Sequence, residues 1–270
     1  MKKDLFDLTG QVGVVIGATG VLGGAIGDGL ASAGAKVAVL GRNQERGLAR
    51  VEAIRAQGGT ADFFVADALD RDSLRLAREK VTERWGLPTI LVNAAGGNDP
   101  KVTVTADLPF EKISASDWKN SFDLNLTAGV LLPCQEFGAA MKEVRHGSII
   151  NIASIAAHVP LSRVVAYSAS KSALLNLTQF LAREWAPYDV RVNSVTPGFF
   201  PGEQNRRLLF SETGTPTERG QTILSHTPMK RFGRPEELAG AVVFLASPAA
   251  SGFVTGMDLR VDGGFLAQTI

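Results

Sequence analysis

Cysteine is almost missing from this chain. Cys134 stands alone among 270 residues, so no intrachain disulfide can form, and no CxxC or Cys/His spacing frames a metal site. The three histidines, His146, His158 and His226, are scattered in sequence, and no metal is expected. Charge of one sign is missing too. Twenty-eight basic residues stand against twenty-seven acidic ones, a net charge of +1, which removes any global electrostatic case for nucleic acid or an anionic membrane. Residues 1–7 lack the apolar core of a signal peptide, and no later stretch keeps about 18 apolar residues without charge. Internal repeats and low-complexity linkers are likewise lacking. What remains is a soluble, cytoplasmic chain in a reducing compartment, whose 45% hydrophobic content is enough to fill the core of one α/β domain over residues 1–270.

What is present is alternation. Val12-Gly13-Val14-Val15-Ile16 and Val37-Ala38-Val39-Leu40 are short continuous apolar runs, separated by a segment of helical period over residues 20–33. Further strands are expected near 62–66, 89–92, 148–152, 190–195 and 258–261. Helices are expected around 44–57, 71–84, 116–143, 165–186 and 235–246. Strands alternating with long helices predict a Rossmann-type, doubly wound parallel sheet of about seven strands with helices on both faces. Two stretches break the pattern, 96–113 and 199–232. Both follow strands, and in open parallel sheets ligands bind beyond the carboxyl ends of strands, so these are the expected substrate loops, the second a lid.

Gly17-Ala18-Thr19-Gly20-Val21-Leu22-Gly23-Gly24 joins the first strand to the first helix. Glycine there lets backbone approach a pyrophosphate, and the helix N-terminus favours negative charge, although tight strand-to-helix turns use glycine for backbone reasons as well. The second strand is followed by Gly41-Arg42-Asn43 instead of the acid that bonds an unphosphorylated ribose. A guanidinium at Arg42 suits a 2′-phosphate, so NADP(H) is preferred over NAD(H), which remains possible; the plain alternative is a solvated arginine opening the next helix. Asp67, with Ala68 after the third strand, either accepts from the adenine amino group or caps a turn.

Tyr167 and Lys171 lie four residues apart at the start of a helix, on one face. A free phenol has a pKa near ~10, and a neighbouring cation stabilises its phenolate, which makes such a pair useful as a proton shuttle. Alone, the spacing is more often an amphipathic face. Ser154 closes the apolar strand thirteen residues earlier, and Asn93-Ala94-Ala95-Gly96 closes the strand before that.

With these motifs, Asn125 in Asp123-Leu124-Asn125-Leu126, Pro197-Gly198, and Asp262-Gly263-Gly264, the chain resembles the short-chain dehydrogenase/reductases over nearly its whole length. The resemblance implies a four-residue site. Tyr167 would give a proton to a carbonyl oxygen as hydride arrives from the nicotinamide, and Ser154 would hydrogen-bond that oxygen. Lys171 would lower the tyrosine pKa and hold the nicotinamide ribose, and Asn125 would position a water that resupplies the proton. It also implies cofactor contacts from Gly17, Thr19, Gly20, Val21, Leu22, Gly23, Arg42, Asn43, Asp67, Ala68, Asn93, Ala95, Gly96, Tyr167, Lys171, Pro197, Gly198 and Phe200. A homotetramer, or a homodimer, built on the helices 116–143 and 165–186 is implied as well. Three departures stand out: the usual middle glycine falls at Val21 with Gly20 one place earlier, Ala94 replaces a second asparagine, and the threonine common after Pro-Gly is absent from residues 199–205.

Residues 17–42 and 199–207, with Thr217-Glu218-Arg219-Gly220 following, look like a branch assigned to fructuronate (D-mannonate) oxidoreductases. A sugar acid needs a cation for its carboxylate and hydrogen-bonding groups for its hydroxyls. Asn98, His158, Arg163, Gln204, Asn205 and Arg206 are the expected providers, each with a plain reading as a solvated loop residue or, for Arg163, a subunit-interface contact. The competing expectations are a 3-oxoacyl thioester reductase or general ketoreductase, favoured by Phe199, Phe200, Leu208 and Leu209, and a cofactor-binding sensor without turnover.

Overall fold

The computed structural model describes residues 4–202 and 205–269 of the 270. Seven parallel strands form one sheet: β1 (Val12–Ile16), β2 (Lys36–Gly41), β3 (Thr60–Val65), β4 (Ile90–Asn93), β5 (Gly147–Ile152), β6 (Val190–Pro197) and β7 (Asp258–Val261). Their order is β3-β2-β1-β4-β5-β6-β7. The central strands β1, β4 and β5 are buried at every residue, which is why they read as unbroken apolar runs instead of alternating ones. Period 2 still sorts their side chains. Val15 packs into a core with Ile26, Leu30, Leu238 and Val242, whereas Val14 and Ile16 enter the opposite core with Leu74, Val130, Phe137 and Leu174.

The helices of the first core are α1 (Val21–Ser32), α2 (Gln44–Ala56) and α8 (Glu236–Ala246). The second is covered by α3 (Arg71–Trp85), by α4 over 115–144, and by α5 (Val165–Trp185). Helix α4 is one continuous helix whose middle widens to π geometry at Asp123–Leu131 and again at Cys134–Gly138. Pro133 stands between the two widened stretches. It has no N–H to donate, and its ring crowds the carbonyl four residues back, so regular α pairing cannot run through. Beyond β6 lie α6 (Arg206–Leu209) and α7 (Glu218–His226), and α9 (Pro248–Ser251) precedes β7. Stretch 199–232, expected as an interruption, therefore carries two helices of its own.

The chain leaves β1 toward β2 on one side and returns through β3 and α3 to β4 on the other. That reversal opens a crevice between β1 and β4 at their carboxyl ends, where α1 starts and where the loops after β4, β5 and β6 converge. Expected boundaries move by one or two residues: β3 is Thr60–Val65 against 62–66, and β4 is Ile90–Asn93 against 89–92. Among the described residues no helix is long and apolar enough to cross a membrane.

Candidate active site

The turn from β1 to α1 is shaped by two close approaches. Gly17 has φ +87°, and a Cβ there would lie 2.7 Å from the Ala95 backbone nitrogen, so the turn rests directly on the loop after β4. Gly23 lies so close to the Gly17 carbonyl that any Cβ would collide with it. Gly20 is different. It is exposed, with φ −86°, and a Cβ built on it meets only the Gly17 oxygen at 3.4 Å. Nothing within the described chain requires glycine there. Gly20 caps α1 without a side-chain hydrogen bond, and no acidic residue occupies the first turn, so the helix start offers free N–H groups and partial positive charge. Together these fit a phosphate-bearing ligand.

Around this cradle the expected cofactor residues divide. Leu22, Ala95, Gly96, Pro197, Gly198 and Phe200 line one cleft with Tyr167 and Lys171. Gly198 is required by packing, because a Cβ would lie 2.7 Å from the Asp262 Cα, which brings the Pro-Gly and Asp-Gly-Gly motifs together. Exposed Val21 touches the loop after β6, 3.6 Å from a Cβ built on Gly202. Thr19 lies against Gly41 at the end of β2. Arg42 follows β2, 75% exposed, and its guanidinium reaches Asp67 only at 3.9 Å. Asn43 caps α2 by accepting from the Arg46 N–H at 2.9 Å. Asp67 accepts from the Leu69 N–H at 3.0 Å, the turn role left open by sequence, and Ala68 packs on the second core. Asn93 is 1% exposed. Its side chain donates to Asn151 Oδ1 at 2.8 Å, and Asn151 donates to Thr178 Oγ1 on α5 at 2.9 Å. Asn93 thus sets the seat of α5 and does not open on the cleft, because β4 is buried to its last residue.

Tyr167 and Lys171 occupy the first turns of α5, and the Lys171 ammonium is 5.7 Å from the phenol ring centre. Lys171 is 4% exposed and donates to the Ile152 carbonyl at the end of β5 at 2.8 Å. Burial pushes its pKa down to about 8. The tyrosine reverses the expected direction. Desolvation raises its pKa, and only the Ser154 hydroxyl pulls it back. A lysine whose own charge is weakened by burial does not outweigh that loss of water. Ser154 follows β5 and accepts from the Ala156 N–H at 3.1 Å, which fixes its hydroxyl beside the phenol. Asn125 sits in the π-widened part of α4, fully buried. It accepts from the Gly97 N–H and donates to the Gly97 carbonyl, both at 2.9 Å, and donates to Ser121 O at 3.0 Å. Its amide thus clamps the loop after β4 beside Lys171: a Cβ on Gly96 would lie 2.7 Å from Asn125 Oδ1 and 3.5 Å from the Lys171 ammonium.

The cleft has a volume of about 570 Å³. Of the expected substrate residues it contains Asn98, which donates to Thr103 Oγ1 at 2.6 Å, and Asn205. The Asn205 amide is already used, accepting from the Gly202 N–H at 2.7 Å and donating to the Phe200 carbonyl at 2.9 Å. Three others do not line it. His158 Nε2 pairs with Asp258 of β7 at 3.0 Å. Arg163 is exposed at φ +74°, its carbonyl accepting from the Val104 N–H at 2.8 Å. The Arg206 guanidinium lies 5.6 Å from the Phe210 ring centre. Gln204 lies outside the described residues. Besides Lys171, the cation that lines the cleft is Arg219 of α7; it falls within the 199–232 stretch, but more than fifty residues from Ser154 and Tyr167, so its approach to them could not be read from spacing.

Fold and cleft define a Rossmann-type α/β protein with a serine, a tyrosine and a lysine converging beside a glycine-rich turn. The family model described as enoyl-(acyl carrier protein) reductase matches residues 17–266. The chain is 40% identical over 271 residues to the uncharacterized oxidoreductase UxuB of Bacillus subtilis, covering 97% of each. It superposes at a TM-score of 0.91 on a Haemophilus influenza structure described as a candidate D-mannonate oxidoreductase with bound NAD, at 37% identity and 97% of each chain. It also superposes at 0.88 on a gluconate 5-dehydrogenase from Burkholderia cenocepacia in complex with NADP and tartrate, at 33% identity and 98% and 99% coverage. The chain belongs to the short-chain dehydrogenase/reductase family of oxidoreductases.

Proposed function

We propose that this protein interconverts a ketone and a secondary alcohol on a sugar acid of the fructuronate/D-mannonate type, using a nicotinamide dinucleotide, NADP(H) in preference to NAD(H). The carrying observation is the convergence of Ser154, Tyr167 and Lys171 in one cleft next to the Gly17–Gly23 turn. Bound there, the nicotinamide supplies or accepts the hydride. In the reducing direction the Ser154 hydroxyl holds the substrate's carbonyl oxygen, and the Tyr167 hydroxyl, protonated at neutral pH, donates its proton to that oxygen. Lys171 stabilises the phenolate left behind, and Asn125 keeps the loop over residues 96–97 in place. Oxidation reverses each proton movement. The exposed Arg42 at the end of β2 supports NADP(H), and the activities named for the relatives support the sugar acid. We assign 199–232 the role of a lid. Leu124 and Phe180, exposed on α4 and α5, support a homotetramer through those helices.

The second reading, reduction of a 3-oxoacyl thioester, is favoured by Leu161, Phe199, Phe200 and Leu208 in the cleft wall. Both are tested by following loss of NADPH and NADH with D-fructuronate, 5-ketogluconate and an acetoacetyl thioester. We expect turnover of a keto acid with NADPH, and a loss of about 10²–10⁴-fold in kcat in Tyr167→Phe. Reduction of the thioester alone would remove the sugar-acid assignment and leave the reductase.

A further inference from the structure

Lys171 and Arg219 are the only charged side chains among the described residues that line the cleft, and no carboxylate faces them there. Lys171 is committed to the Ile152 carbonyl beneath Tyr167. Arg219 is half-buried, and its side chain makes no hydrogen bond or ion pair with any other described residue. Other half-buried arginines here have partners: Arg50 pairs with Asp28 at 2.9 Å and Arg78 with Glu136 at 2.9 Å. A guanidinium partly withdrawn from water gains most from an anion that brings a complementary pair of acceptors.

The base of Arg219 is fixed. It is the second residue of α7, whose cap Thr217 accepts from the Gly220 N–H at 3.1 Å. Thr217 also donates through its hydroxyl to Leu208 O at 2.6 Å and through its N–H to Leu209 O at 2.9 Å. Gly220 lies so close to the Leu209 carbonyl that no Cβ could fit. The first turn of α7 is therefore pinned to α6, and Arg219 is held in the cleft wall by short-range bonds that exist before any ligand arrives.

Resting on the function proposed above, we infer that Arg219 takes the carboxylate of the substrate and selects a hydroxylated keto acid over its neutral counterpart. The ketone meets Ser154 and Tyr167, the carboxylate meets the Arg219 fork, and these two anchors orient the chain between them. Asn98 Oδ1 and the Thr105 hydroxyl, in the same wall, are the partners for hydroxyl groups; Thr103 is engaged by Asn98 and by the Asp99 carbonyl. The acyl part of a 3-oxoacyl thioester carries no carboxylate to meet the arginine.

The test compares D-fructuronate with D-fructose, the same ketose carrying a hydroxymethyl in place of the carboxylate, in the wild type, Arg219→Leu and Arg219→Lys. The wild type is expected to prefer the acid. In Arg219→Leu the ratio of kcat/KM for acid over ketose falls about 100-fold, the size expected for a charge-assisted hydrogen-bonded pair, chiefly through KM. Arg219→Lys recovers part of it. NADPH titration by fluorescence and the urea midpoint verify that each variant is folded and loaded. If the wild type prefers the acid but the two substrates lose equally, or neither loses, Arg219 is not the carboxylate's partner. If the wild type shows no preference for the acid, the sugar-acid reading falls first and this inference with it.

Discussion

Lys171 shows most directly how the proposed chemistry works against the fold. Its ammonium is 4% exposed, and its pKa is lowered from 10.5 to about 8 by desolvation. Between about pH 8 and ~10.4 the unfolded chain holds a proton that the folded chain has released, so stability contributed through this group rises with pH across that window. Below about pH 8 both states are charged and the full penalty of burial is present. Lys171→Met is therefore expected to be more stable than the wild type at pH 7, by on the order of 2 kcal/mol after allowing for the lost bond to Ile152, with the gain shrinking toward pH 10. Urea midpoints across pH measure it, and a gain that grows with pH would contradict the assignment. Catalysis should run the other way. Tyr167, its pKa raised by desolvation, stays protonated through neutral pH, so kcat/KM for ketone reduction should be flat there; above about pH 8 it should fall about tenfold per unit as Lys171 loses the charge that stabilises the phenolate, with that limb missing in Lys171→Met.

At the scale of elements, the strand-turn-helix from β1 to α1 separates packing from binding. Gly23 is needed by the fold, since its missing Cβ lets α1 begin against the Gly17 carbonyl. Gly20 meets nothing closer than 3.4 Å. Gly20→Ser is thus expected to keep or slightly raise the urea midpoint, serine being as good a cap as glycine or better, while weakening NADPH binding at least about tenfold by placing a side chain in the proposed phosphate cradle. Gly23→Ala should lower both, with a stability loss of about 1–3 kcal/mol from overpacking. Equal NADPH affinity in Gly20→Ser and wild type would remove the cradle from the proposed site. Helix α4 separates the same two demands. Its π-widened middle presents Asn125 to the loop after β4, whereas its ends pack as regular α-helix.

Over the whole molecule, stability is unevenly spread. Strands β1, β4 and β5 are buried end to end and share two cores, so their amides should exchange with solvent only through global unfolding. The 205–226 segment is mostly exposed and is held by local contacts, among them the bridge of Phe210 to Pro216, the Thr217 cap bonds and the Phe210–Phe232 ring contact. It should exchange by local opening, faster by several orders of magnitude, and slow markedly when NADPH and the keto acid are both bound. Hydrogen exchange read by mass spectrometry distinguishes this from a segment that ignores its ligand, an outcome that would rule out the role of lid.

Much of this was legible in the linear order of residues. Apolar runs, helical period and the glycines at strand ends are local properties, and each strand and long helix follows from them because burial on both faces of a parallel sheet leaves a continuous hydrophobic trace. Ser154, Tyr167 and Lys171 were readable because the strand end and the first turns of the next helix put chemistry within a few residues of a recognisable element. Tertiary structure alone decided the rest. Asn93 and Asn151 became a buried polar seat for α5, Asn125 turned its amide to the backbone of Gly97, and His158 went to Asp258 instead of substrate. Arg163 and Arg206, close in sequence to the motifs, do not line the cleft, and Arg219, far from them, is brought into its wall. Whether a side chain meets water, a partner or a ligand depends on which distant backbone it is pressed against, and that is set by how the loops close over the sheet, not by the spacing of residues along the chain.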